Sequence, residues 1–281
     1  MKQNEENLLP KTRKELLRDV IKYRKTDLVF VSIYCLCFVL PAIVWQIFWS
    51  YLSEGVEGGV FNILIQYGVL IPFIMLFGLS MAGALYFWKR LAWNEGSSVH
   101  SDFFIGIRKN ACQFLIIYLF IGVLYLALHI DEYLLFSNTI MSTEIRYILL
   151  GISYVLFFIF LGILSFAQTQ AIIYDAKLSQ LLMNSLKFVI GKFVKNLGIF
   201  LCVFWPFIIY EFIDLFFSTE ICSVIQWIII LISGLFYFGF SSLVFELYSL
   251  NVFDETINKQ HYQEIIGRGL AHESSSEDNN E

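Results

Sequence analysis

The sequence predicts an all-α fold, a polytopic membrane protein whose six-helix transmembrane bundle carries amphipathic helices on the cytoplasmic face. Three observations predict it. Of 281 residues, 58% are hydrophobic and only 15% are charged, against about 25% charged in a soluble globule, so lipid must be the solvent for much of the surface. Apolar stretches long enough to cross hydrocarbon recur at residues 28–52, 60–88, 113–130, 147–166, 197–217 and 224–250. The cations alternate with them: eight Lys and Arg precede the first stretch, four lie at 89–109, four at 177–195 and two in the tail, while the intervening loops hold Arg146 alone. By the positive-inside rule both termini are cytoplasmic. The opposite loops are short and acidic, with Glu54, Glu57, Asp131, Glu132, Glu144 and Glu220.

Taken in order, residues 1–27 form a charged cytoplasmic segment. Leu16, Leu17, Val20 and Ile21 recur there at helical spacing, which predicts a short helix at the membrane surface or leading into it. Its length and the lack of a small-residue cleavage motif predict a retained first helix rather than a signal peptide. Span 28–52 contains Pro41, a site for a kink or a loosened turn, and ends in Trp45, Trp49 and Tyr51, as an interfacial belt would. A glycine-rich turn leads to span 60–88, where Pro72, Gly78, Ala82 and Gly83 offer kinking and small-residue packing. A basic loop, 89–102, and an amphipathic run, 103–113, precede the third span. The fourth is followed by a polar segment, 167–195, containing a second amphipathic run built on Leu178, Leu181, Leu182 and Leu186. Residues 251–281 read as a polar, acidic tail, disordered over 274–281. The five cysteines show no metal-ligand or redox spacing and read as small buried hydrophobes. Phe104–Asn110 loosely echoes 189–196 with one extra residue, so a parallel duplication and convergent use of basic residues are both open.

Two segments resemble a known family. Ala82, Gly83, Ala84, Leu85 and Tyr86, then Lys89, Glu95, Asp102, Phe103 and Phe104, then Arg108, Lys109, Asn110 and Phe114, resemble the first block of the YesL-like family of small bacterial integral membrane proteins. Residues 171–175 with Leu178, Leu181, Asn184, Ser185 and Leu186 resemble its second. The resemblance covers roughly residues 60–217; the charged N-terminus and acidic tail lie outside it. It implies a compact helical bundle in a bacterial plasma membrane, associated with carbohydrate uptake and breakdown systems, and carries over no catalytic residue.

Ionisable side chains at membrane depth are costly, so each is a candidate functional group. Glu211 and Asp214 lie three residues apart in the fifth span, on one helix face. With Gln46, Asn62, Gln66, Trp205, Tyr210 and Gln226 they could line an outward-facing vestibule of amide, carboxylate and aromatic groups, the types that grip a sugar or a cation. The opposing reading places both carboxylates among the headgroups. Glu246, near the inner end of the sixth span, reaches the interface or pairs with Lys192 or Arg90. His129 caps the third span beside Asp131 and Glu132 without ligand spacing. Lys89, Arg90, Arg108, Lys109, Lys187, Lys192 and Lys195 form a cationic surface for anionic lipid or a protein partner. No P-loop, nucleophile elbow or zinc motif occurs, and neither a metal, a cofactor nor nucleic acid is expected. Three functions follow: a nonenzymatic accessory or regulatory component linked to carbohydrate uptake, a small oligomeric transporter or channel using Glu211 and Asp214, and, third, a lipid-modifying enzyme.

Overall fold

The computed structural model describes residues 9–53, 59–137, 140–212 and 219–271. Among them every regular element is helical. Helix α1 (Arg13–Tyr23) starts where Thr12 Oγ1 accepts from the Glu15 amide (3.2 Å) and the Glu15 carboxylate accepts from the Lys11 amide (2.8 Å). This reciprocal pair satisfies amides that the first turn leaves open. The long helices α2 (Lys25–Leu52), α3 (Val60–Ala92), α4 (Val99–Ser137) and α5 (Thr143–Ile173) follow. Helices α2 and α3 continue through Pro41 and Pro72 without a break.

Helix α6 (Leu178–Gly191) meets α7 (Phe193–Phe212) at a sharp bend; the axes of Leu178–Gly191 and Phe193–Ile209 differ by 103°. The chain ends in α8 (Thr219–Ile232) and α9 (Phe238–Phe253), joined through a wide turn at Ser233–Tyr237. A second wide turn, Asp254–Asn258, leads to Lys259–His261. Among the described residues five helices are long and apolar enough to cross a membrane, the fifth running from Trp227 to His261 through both wide turns, and the bent pair counted as one span makes six. At about 1.5 Å per residue, the 20 residues of α7 extend about 30 Å, the thickness of the hydrocarbon layer. The protein is therefore an all-α, multi-pass membrane bundle. Exposed Phe48, Phe61, Phe120, Ile148, Ile152, Val155 and Leu201 form its lipid-facing surface.

Several boundaries differ from the sequence expectation. The amphipathic run at 103–113 and the third span are one continuous helix, α4, because no proline interrupts 99–137. The polar residues after Phe166 remain in α5, where Gln168, Thr169 and Gln170 are buried. The first part of the tail is packed: Val252, Phe253 and Asn258 are buried, and the Ala271 amide donates to the Pro10 carbonyl. Of the described cysteines only Cys35 is buried, whereas Cys37, Cys112 and Cys202 face outward. The two echoing segments also part company. Phe104–Asn110 is uninterrupted helix; 189–196 holds the bend, where Asn196 Nδ2 donates to the Phe188 and Val189 carbonyls. The expected disorder at 274–281 lies outside the described residues.

The core concentrates at the end of the bundle that carries both termini. Phe87, Trp88, Phe103, Phe114, Phe166 and Phe253 are fully buried there. Helices α3 and α4 form the tightest pair. A Cβ at Gly106 would stand 2.5 Å from Tyr86 Cβ, and one at Gly83 would stand 2.7 Å from the Phe103 carbonyl oxygen. Hydrogen in place of a side chain at both positions lets the backbones approach, the usual solution where lipid gives helices no hydrophobic reason to associate.

Candidate functional site

The six spans enclose a cavity of about 820 Å³, within the range that holds a small organic ligand. At the end away from the termini it is lined by Trp49, Ser50 and Tyr51 of α2, the following Ser53, and Trp227 of α8. Partway in, Gln66 Nε2 donates to Gln46 Oε1 at 3.1 Å, and Trp45 Nε1 donates to the Gln66 carbonyl at 2.8 Å. These bonds hold α2 against α3 and fix the two amides at the cavity wall. The floor is built by Tyr118, whose hydroxyl donates to Gln168 Oε1 (3.1 Å), with Ser165, Ser241 and Ser242. Ser242 Oγ accepts from Trp88 Nε1 at 2.9 Å and lies 2.7 Å from the Phe238 carbonyl, to which it donates. Between the two ends the walls are mainly Ile, Leu and Phe, with the rings of Tyr125 and Tyr154 among them. Among the described residues lining the cavity, none is Asp, Glu, Lys or Arg. The chemistry on offer is neutral hydrogen bonding on an apolar wall.

Of the residues singled out in the sequence, Gln46 and Gln66 meet in this cavity. Asn62 is half-buried one turn before Gln66. Trp205 is turned away, edge-on to Tyr237 at 5.6 Å; the Tyr237 hydroxyl in turn donates to the Val203 carbonyl at 2.6 Å. Asp214, and the side chains of Tyr210, Glu211 and Gln226, lie outside the described residues. His129 is buried toward the end away from the termini, stacked on Tyr67 at 3.9 Å, with Nδ1 3.2 Å from Glu132. Among the described residues no cluster of metal-ligating side chains occurs.

The termini end is polar in a different way. Arg90 pairs with Asp102 and Glu95, and Asp102 also accepts from the Ser98 amide (2.9 Å), closing the α3–α4 turn. Lys89 Nζ stands 4.0 Å from the centre of the Trp93 ring, which Arg268 covers at 4.6 Å. Lys192 pairs with Glu255. Arg108, Lys109, Lys187 and Lys195 are exposed. Arg13 enters from α1, 6% exposed, donating to the Ala92 carbonyl at 3.0 Å and standing 3.6 Å from Asp254. Burial pulls its guanidinium below the usual range, and Asp254 opposes that. Asp254 itself accepts from Asn258 (2.7 Å) and the Gly267 amide (3.3 Å).

Glu246 overturns the interfacial reading. It is fully buried, neither oxygen has a hydrogen-bond partner, and neither Lys192 nor Arg90 reaches it.

Sequence reasoning passed over Tyr118, Gln168, Ser165, Ser241 and Ser242. Two signals could have found them: the polar run Ser165–Gln170 beside an apolar span, and Ser242, Glu246 and Ser249 at helical spacing on one face. No known family model, curated protein or solved structure matches the chain, so its chemistry must be argued from the bundle itself.

Proposed function

We propose that this protein is a nonenzymatic membrane binding protein that takes an uncharged amphiphile into its intramembrane cavity. The observation that carries the reading is the cavity's lining: contributions from all six spans, apolar walls, and neutral amide and hydroxyl groups at the waist and floor. An apolar body would lie against Phe and Ile side chains, while a hydroxylated head would meet Tyr118, Gln168 and the serines. A charged head would find no counter-charge among the described lining residues, and desolvating it there would be unfavourable. The termini-bearing end, with its exposed Arg108, Lys109, Lys187 and Lys195, is the cytoplasmic side on this reading, and the cavity extends toward the outer face. Such a protein serves a carbohydrate-uptake system as an accessory binder, as the YesL-like resemblance implies for a bacterial plasma membrane, or carries the amphiphile itself.

Saturable binding of a radiolabelled alkyl glucoside to the protein in native-lipid discs tests the proposal. Binding should be lost in the cavity-filling pair Ser165→Phe and Ser241→Phe while thermal stability is kept. Binding that survives filling, or that is matched by an alkyl sulfate, would overturn it. The channel alternative has its own test: Glu211→Gln and Asp214→Asn must abolish ion flux in liposomes without lowering expression.

A further inference from the structure

Below the cavity floor lies a buried cluster of polar side chains that amphiphile binding does not use. Its centre is Glu246 on α9, one helical turn from the floor residue Ser242. Glu246 is 0% exposed and both carboxyl oxygens lack a hydrogen-bond partner. One turn further on, Ser249 Oγ is equally buried and unpartnered, and the Nε of Arg13 is buried without an acceptor. The ionisable groups facing Glu246 come from several helices. Arg13 of α1 and Lys89 of α3 bear on it electrostatically, and Tyr174 of α5 feels its charge. Helices α2 and α7 meet α9 through uncharged groups, Ser32 bonded to the Gly239 amide and Asn196 bonded to Tyr248. On α9 itself and its continuation, Asp254 is held by Arg13 and Asn258, and Glu255 by Lys192.

A carboxylate with no donor in a sealed interior is unfavourable, and the cheapest remedy is a proton. We propose that Glu246 is a reversible proton-binding site at the base of the bundle, sealed on the termini side by the Arg13 side chain of α1. Arg13 suits that role by position. It is tethered to the Ala92 carbonyl and Asp254 at the rim, and with Lys89 its positive charge acts on the carboxyl group without a hydrogen bond to it. Protonation removes the charge that attracts Arg13 inward; deprotonation restores it. The site is separate from the cavity, so its failure would leave amphiphile binding untouched.

Infrared titration of the full-length protein in phosphatidylethanolamine and phosphatidylglycerol liposomes tests the assignment. The range is from about pH 4 to about pH 10, which brackets free and buried carboxyl groups. A protonated-carboxyl C=O band should come and go with pH, vanish in Glu246→Gln and persist in Asp254→Asn. A titrating spectrum that Glu246→Gln leaves unchanged overturns the proposal, as does the absence of any titrating band assignable to Glu246. Should Glu246→Gln not fold, Arg13→Gln decides. Loss of the neighbouring cation must displace the midpoint of that band, and an unmoved midpoint refutes the seal.

Discussion

The two ends of the bundle solve the membrane problem differently. At the termini end, fully buried Phe87, Trp88, Phe103 and Phe253 pack under a lid of ion pairs and cation–ring contacts. At the far end, helices of the same hydrophobicity surround about 820 Å³ and meet through polar bonds such as Gln66 to Gln46 and ring contacts such as Tyr67 on His129. The difference teaches that small residues decide closeness here more than apolar content does. Gly83 and Gly106 bring α3 and α4 together near the termini end, whereas Tyr125, Phe157 and Phe158 line the cavity in the far half. One end behaves as a closed hub and the other as a container.

The comparison breaks first at its tightest contact. Gly106→Leu should cost about 3 kcal/mol or more, because the new side chain meets Tyr86 Cβ and the Ala82 carbonyl with no room to relax. Reversible unfolding in mixed micelles would register it as loss of the folded population. A variant as stable as the parent would show that α3 and α4 can separate cheaply, and the hub would no longer differ from the container.

Next in size is Arg13→Ala. The substitution leaves the Asp254 carboxylate without its cation and should lower stability by about 2 kcal/mol. In the Arg13→Ala, Glu246→Gln double variant the two losses should not add, since the second substitution removes a charge the first left with Lys89 alone to oppose it. Strict additivity in denaturant midpoints would separate Arg13 from Glu246 energetically. In the container, Tyr118→Phe should cost only about 1 kcal/mol, one hydrogen bond to Gln168. Yet it should weaken alkyl glucoside binding, which radioligand titration would read.

How much of this was readable beforehand varies by residue. The spans, the basic alternation and α1 follow from hydropathy and charge, both properties of local sequence. Gln46 and Gln66 were found because an amide inside an apolar run is locally anomalous. Glu246 was noticed for the same reason and then misplaced, since depth along a helix was inferred from distance to the span's end. The packed tail from Asp254 to Arg268, which continues the helix beyond that end, could not be foreseen from polarity alone. Tyr118, Ser165 and Ser242 were missed because hydroxyl-bearing residues are ordinary in membrane helices. Only the tertiary arrangement makes them a floor. Glu211 and Asp214 are conspicuous as charges in a span, and Asp214 and the Glu211 side chain lie outside the described residues.

The smallest expected effect bears on what closes the hub. Lys192 and Glu255 form an ion pair at its rim, with the Lys192 side chain 24% and the Glu255 side chain 54% exposed. At such exposure water and salt screen most of the attraction, and ordering two long side chains offsets much of the rest. Lys192→Ala should therefore change stability by less than about 0.5 kcal/mol, and raising the salt concentration should move the wild-type melting curve little. A loss several times larger, and salt-sensitive, would mean that rim charges rather than ring packing hold α6, α7 and α9 together. It would also reassign the closure of this end from the buried aromatic side chains to electrostatics, and the bend at Gly191–Phe193 would then depend on Lys192 being paired, a dependence that cysteine crosslinking across the bend in the Lys192→Ala variant would detect.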